Sequence, residues 1–158
     1  MNTLIPIAGQ VAKKLIAKKQ TIAVAESSTG GLIAAALLSV PGASAYFLGG
    51  AVVYTREARR ILMDMSDADM KGIRSASEPY AQLLANRMRE RFATDWGLSE
   101  TGAAGPTGNR YGDAAGHSCM AIAGPASAVA TLETGSADRV ANMQAFAANA
   151  LTLLLRNL

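Results

Sequence analysis

Cysteine is nearly missing from this chain: Cys119 is the only one among 158 residues. An internal disulfide is therefore excluded, as is a metal site of the cysteine-cluster type. A reducing, cytoplasmic setting is expected. Histidine is as scarce, and no carboxylate or serine stands at a fixed spacing from His117 that would mark a catalytic pair. Long apolar runs are also lacking. The two best stretches, residues 32–40 and 145–155, are short or broken by polar side chains, below the roughly 18 apolar residues of a membrane span. Charge of one sign is not in excess either: 15 basic and 12 acidic side chains leave a net +3 and a pI near 9.2. That falls short of the clustered basic surplus of a nucleic-acid binder. Lys13, Lys14, Lys18 and Lys19 follow the first apolar residues, where a secretory leader would place its charge first. No targeting segment, membrane contact, repeat or linker is expected.

What is present suffices for one domain spanning residues 1–158, since about 150 residues per domain is the usual ratio. A chain of this size buries about two-thirds of its unfolded surface and needs no covalent staples. Leu4, Ala8, Val11, Ala12, Leu15 and Ile16 recur at helical spacing over the first 20 residues, predicting an amphipathic helix packed on a core. Residues 21–25 form a β-branched and alanine run that fits a buried strand, and residues 32–39 read as helix, closed by Pro41-Gly42. Residues 47–55 are strand-like and residues 56–65 helical, with 66–75 as loop. Ser77 and Pro79 mark the cap and first turn of a helix whose apolar face is Tyr80, Leu84, Met88 and Phe92. Residues 95–103, 117–123 and 128–133 read as strands, the last two as a hairpin turning at Gly124-Pro125. Ser136 is expected to cap a final helix with Val140, Met143, Ala147, Leu151 and Leu154 on its core face. The fold class is α/β, with helices on a mixed sheet.

Two glycine-rich loops follow predicted strands. Glu26-Ser-Ser-Thr-Gly-Gly31 turns directly into a helix, so its unpaired N–H groups and its hydroxyls can cradle an anion. The same pattern also fits a plain helix cap, and it lacks the lysine of a nucleotide-binding P-loop. Thr101-Gly-Ala-Ala-Gly-Pro-Thr-Gly108 ends another strand, and open α/β sheets bind ligands at the carboxyl ends of strands. Cys119 reads as inert core, and Asp64, Asp67 and Asp69 as a solvated acidic patch. Arg56, Arg59 and Arg60 read as a helix face that can also supply a cation to a phosphate.

Five segments together resemble one family. Ala25-Glu-Ser-Ser-Thr-Gly-Gly31, Val40-Pro-Gly-Ala-Ser-Ala45, Val53-Tyr-Thr-Arg-Glu-Ala58, Ser77-Glu-Pro79 and Thr101-Gly-Ala-Ala-Gly-Pro106 occur in the order of the C-terminal domain of the competence/damage-inducible protein CinA. Its stand-alone members include nicotinamide-nucleotide amidase. The resemblance implies a three-layer α/β/α domain with a mixed, mostly parallel sheet, often self-associated into a homo-oligomer. It also implies hydrolysis of the carboxamide of nicotinamide mononucleotide to nicotinic acid mononucleotide and ammonia, without metal or organic cofactor. Full-length members carry a nucleotide pyrophosphatase-like module that lies outside this chain. Ser44 matches the family serine expected to attack, with Ser27 as the alternative. Tyr54 matches an assisting tyrosine. Ser27, Thr29, Gly30, Gly31, Thr101 and Gly105 would line the nucleotide pocket.

The departures fall on charged positions. Arg59 stands where the family has a lysine, and Arg56 where it has an asparagine. A buried lysine can take the proton of a serine hydroxyl, whereas arginine stays protonated; Arg59 can still hold a phosphate or an oxyanion. Asp113-Ala-Ala-Gly-His117 replaces Lys-Pro-Val-Gly-Thr. Gly135-Ser-Ala137 replaces Gly-Asp-Arg, leaving Arg139 as the substitute cation, and Ser28 replaces a cysteine. An amidase is the leading expectation, ahead of a member that binds a nucleotide or phosphate without deamidation, or an interaction subunit.

Overall fold

A computed structural model describes all residues, 1–158. Five helices, α1 (Ile5–Lys18), α2 (Leu32–Leu38), α3 (Arg56–Met63), α4 (Glu78–Phe92) and α5 (Arg139–Asn157), accompany five strands. The strands are β1 (Ile22–Glu26), β2 (Phe47–Val52), β3 (Trp96–Ala103), β4 (His117–Ala123) and β5 (Ala128–Glu133), in sheet order β2-β1-β3-β4-β5. β1 pairs in parallel with β2 and β3, and β4 pairs antiparallel with β3 and β5. The sheet is mixed as expected, but its parallel half is two pairings of four and not a majority. The antiparallel half arises because β3, β4 and β5 succeed one another without a crossover helix, joined by the loop 104–116 and the short turn 124–127.

Alternation along the central strands builds the three layers. Ile22, Val24, Trp96, Leu98, Met120 and Ile122 point into the larger core beneath α1, α2 and α5. Ala23, Ala25, Cys119, Ala121 and Ala123 point to the opposite face, where α3 and α4 lie. Those side chains are small because α4 comes close: a Cβ on Gly97 would stand 2.0 Å from the Ala85 carbonyl oxygen. Cys119 is buried there, 2% exposed, with a thiol that burial pushes up; this is the inert core position expected of it.

Helix ends follow local chemistry. Ser77 accepts from the Tyr80 N–H and caps α4, as its position before Pro79 predicts. The cap of α5 is Asp138, whose side chain accepts from Ala141 N–H at 3.0 Å, and not Ser136, two residues earlier. The buried stripe of α5 is Asn142, Phe146, Ala147, Ala150, Leu151 and Leu154, and Val140, expected on the core face, is 64% exposed. No helix is long and apolar enough to cross a membrane.

Because β1, β2 and β3 run in parallel, their carboxyl ends meet at one edge. There the Val53 N–H donates to the Glu26 carbonyl, and a cleft opens.

Candidate functional site

The cleft has two adjoining lobes that share Tyr54, Gly102 and Asn109. The larger, about 550 Å³, is lined by Ser27, Tyr54, Arg56, Arg59, Tyr80, Thr101 and Tyr111, among others. The smaller, about 250 Å³, is lined by Ser28, residues 102–105, Thr107, Gly108, Asn109 and Arg139. The larger lobe falls within the size range of small-molecule sites.

The first glycine-rich loop is closed by two of the protein's own carboxylates, which correct its reading as an open anion cradle. Glu100, fully buried on β3, accepts from Ser27 N–H at 3.2 Å, Thr29 N–H at 3.0 Å and Thr29 Oγ1 at 2.9 Å. Ser28 Oγ and Ser118 Oγ donate to its other oxygen. Glu26 accepts from Ile33 N–H at 2.8 Å and Ala34 N–H at 2.9 Å, filling the N-terminus of α2. Burial pushes the Glu26 carboxyl up against the pull of those hydrogen bonds, and neighbouring Glu100 adds to the rise. The helix N-terminus that would attract a phosphate is already occupied by the Glu26 carboxyl. Thr29 is fully buried, and Gly30 and Gly31 serve the turn at φ +63° and +104° without lining either lobe. Of the first-loop residues expected to meet a ligand, only Ser27 faces the larger lobe, and its hydroxyl makes no hydrogen bond within the protein.

The second loop is the open one. Gly116 N–H donates to the Ala103 carbonyl, after which the N–H groups of Ala104, Gly105, Thr107 and Gly108 find no partner in the protein. Ala104 and Gly105 are buried all the same. Interrupted by Pro106, and with Thr107 and Gly108 exposed, these N–H groups line the smaller lobe as a loose nest of donors available to an acceptor there. Arg139 stands over it, donating to the Gly105 carbonyl and to Tyr54 Oη at 3.2 Å, with no carboxylate within 4.0 Å. Arg139, from the first turn of α5, is thus the cation that lines the smaller lobe.

Arg59 is 8% exposed and also has no carboxylate within 4.0 Å; its guanidinium sits 5.6 Å from the Tyr80 ring centre. Its neighbours do pair: Arg56 with Asp67, and Arg60 with Glu57. Burial raises the Tyr80 phenol, with Arg59 opposing. Thr101 lines the larger lobe, and its hydroxyl oxygen accepts from the Ala76 N–H at 3.2 Å.

Ser44 is not brought to this site. It lies in a short 3₁₀ turn, Ala43–Ala45, ahead of β2, and Phe47 is registered with Ile22 at the opposite end of the sheet from Glu26. The length of β2 alone, about 17 Å at ~3.3 Å per residue, separates Ser44 from Tyr54 and Arg59. The family resemblance pairs Ser44 with Tyr54, but in this chain β2 carries the intervening residues across the whole sheet.

The charge reversal at Asp113 is internal to the protein. Arg74 donates to both Asp113 oxygens, at 2.7 and 3.1 Å, and holds its carboxyl below the usual range. His117 lies behind the cleft wall, its two ring nitrogens on Glu133 and, at 2.7 Å, the Ala76 carbonyl. Burial alone would lower its pKa; Glu133, the carbonyl and Asp113 together raise it instead. The carboxylate partner absent from the local sequence is Glu133, the residue opposite on β5. Asn109, Arg110 and Tyr111 went unnoticed as wall residues; Tyr111 lies between the Arg74 and Arg110 guanidiniums at 5.3 and 5.1 Å. Only Asn109-Arg-Tyr-Gly, a turn-forming composition with a cation and an aromatic, hinted at them.

A family model described as the CinA C-terminal domain matches residues 5–158. A CinA-like protein of Gloeothece citriformis is 36% identical over 160 residues, covering 99% of this chain and 38% of that protein. Another, of Desulforapulum autotrophicum, is 37% identical over 151 residues, covering 94% and 36% respectively. A third, of Synechococcus, is 42% identical over 105 residues, covering 66% of this chain and 25% of its own length. The chain therefore spans between a quarter and two-fifths of these relatives. Among solved structures, a competence-damaged protein (CinA) superfamily member of Escherichia coli superposes with a TM-score of 0.91 at 26% identity, over 98% of this chain and 90% of that one. A competence/damage inducible protein of Agrobacterium tumefaciens gives 0.89 at 25% identity, over 97% and 94%.

Proposed function

This chain belongs to the CinA C-terminal domain family, and on that premise we propose that its cleft binds nicotinamide mononucleotide or a close relative as a nicotinamide-nucleotide amidase, with Ser27 as the attacking group. One observation carries the reading: the unengaged Ser27 hydroxyl and an open nest of N–H groups under Arg139 face adjoining lobes of a single cleft. The 5′-phosphate goes to the nest, where N–H donors and a guanidinium supply charge-assisted hydrogen bonds. The pyridine ring then reaches the larger lobe, with its carboxamide toward Ser27 and Arg59.

Attack forms a bond from Ser27 Oγ to the carboxamide carbon and places negative charge on its oxygen. Arg59 is the cation that balances that charge. The hydroxyl proton passes to the departing nitrogen, which leaves as ammonia, and Tyr54 is the phenol at the junction of the lobes available to relay it. Water then cleaves the acyl-serine to give the acid. Arg59 cannot itself accept the proton, so turnover is slower than with lysine at that position.

A second reading, ligand binding without hydrolysis, is favoured by the absence of lysine, histidine or an unpaired carboxylate from the lining of the larger lobe, whose one acid, Asp67, is engaged by Arg56. Ammonia release from nicotinamide mononucleotide separates the two. The amidase reading expects turnover that Ser27→Ala abolishes, Ser44→Ala retains and Arg59→Lys raises. Binding without ammonia release from the wild-type protein refutes it in favour of the second.

A further inference from the structure

Arg59 and Arg139 pose a problem that a single phosphate does not solve. Each lines a different lobe, and neither has a carboxylate within 4.0 Å. Arg139 stands in the smaller lobe, where the N–H nest already matches one anion. Arg59 is 8% exposed, and its cationic group rests on the Tyr80 face at 5.6 Å. Such a contact compensates the charge in part, and the side chain faces an open cleft in which a ligand anion can pair with it. Asp67, the acid that also lines this lobe, is engaged by Arg56. Arg59 thus presents a cationic fork to the larger lobe with no direct ion pair of its own, Asp67 attracting it only from beyond 4.0 Å.

We propose that the cleft is built for a ligand with two separated anionic groups, a phosphate in the smaller lobe and a planar carboxylate on the base against Arg59. The ligand class is a carboxylated nucleoside monophosphate, with nicotinic acid mononucleotide as the probe. This rests on the ligand placement proposed above and extends it: the site holds the acid more tightly than the amide from which the acid is made.

The chemistry of arginine makes the distinction. Its fork matches the two oxygens of a carboxylate with parallel N–H···O bonds, whereas a carboxamide offers one oxygen and an NH₂ group that the fork cannot accept from. A lysine in the same place would act as a point charge without that geometric preference. The pyridinium ring of the amide ligand brings a further positive charge toward Arg59, and a carboxylate on the ring offsets it.

Calorimetric titration of nicotinic acid mononucleotide and nicotinamide mononucleotide into the full chain tests this, alongside Arg59→Gln, Arg59→Lys and Arg139→Gln. The wild-type protein is expected to prefer the acid by about 10- to 100-fold, the range of a charge-assisted hydrogen bond. Arg59→Gln should bring the two affinities together by weakening the acid far more than the amide. Arg59→Lys, which keeps the charge and guards against misfolding, should leave a smaller preference. Arg139→Gln should weaken both ligands alike and leave their ratio. Equal wild-type affinities, or a preference that survives Arg59→Gln, overturn the proposal while leaving the nucleotide site intact. Failure of both ligands to bind overturns the functional reading itself, and this inference with it.

Discussion

Replacing Glu100 with alanine tests the view that the first loop is held by a built-in anion. Five donors converge on this carboxylate: Ser27 and Thr29 N–H, and the hydroxyls of Ser28, Thr29 and Ser118. In Glu100→Ala the hydroxyls can turn elsewhere, Thr29 toward Glu26 at 2.9 Å and Ser118 toward the Thr101 carbonyl. The two backbone N–H groups cannot turn. An orphaned buried donor costs about 1–3 kcal/mol, so the pair amounts to roughly 2–6 kcal/mol. Removing a buried charge next to Glu26 offsets part of this, leaving about 3 kcal/mol. In a domain of this size each kcal/mol moves Tm by about 2–4 °C, so a fall of roughly 6–12 °C is expected in a thermal melt followed by circular dichroism. The Glu26 carboxyl, relieved of its neighbour, should titrate lower. A Tm within about 1 °C of wild type would refute the claim that Glu100 organises the loop and, through Ser27 N–H, positions Ser27.

Two further predictions concern stability. His117 has its folded pKa raised above the ordinary 6.5, so the stability it contributes is complete below the unfolded value and is lost as pH rises through the folded one. The urea-unfolding difference between wild type and His117→Gln should therefore be larger near about pH 6 than near about pH 9; a difference independent of pH contradicts the imidazolium assignment. Asp138→Ala should cost about 1 kcal/mol in the same assay, the usual value of an N-cap, while Ser136→Ala should cost distinctly less. The reverse order would return the cap to Ser136.

Most of the framework was legible because local chemistry and periodicity agree. The hairpin strands β4 and β5 begin and end where the sequence marks them, and Ser77-Glu-Pro79 opens α4. Ser136 and Asp138 are both good cap residues, and only packing of Ala147, Leu151 and Leu154 in the core chooses the phase of the helix. The site was less legible. Glycines and hydroxyls mark a loop as able to bind an anion, but they do not reveal whether the protein fills it from elsewhere. Glu100, 74 residues beyond Glu26, fills the first loop, whereas nothing fills the second. The resemblance that pairs Ser44 with Tyr54 carries no information on the strand that separates them. Arg59 was singled out for its chemistry, but its burial without a counter-ion is a tertiary fact.

The most direct test of the cleft is a map of backbone amide shifts as nicotinamide mononucleotide is titrated into the labelled protein. The unpartnered N–H groups of Ala104, Gly105, Thr107 and Gly108 are predicted to move downfield as they gain a phosphate acceptor, together with Ser27 and residues around Arg139. The amides of Ile33 and Ala34, already bonded to Glu26, and those of residues 42–46 beside Ser44 should stay in place. Large shifts at residues 42–46 with an unmoved 104–108 loop would contradict the account and return the site to the other end of the sheet.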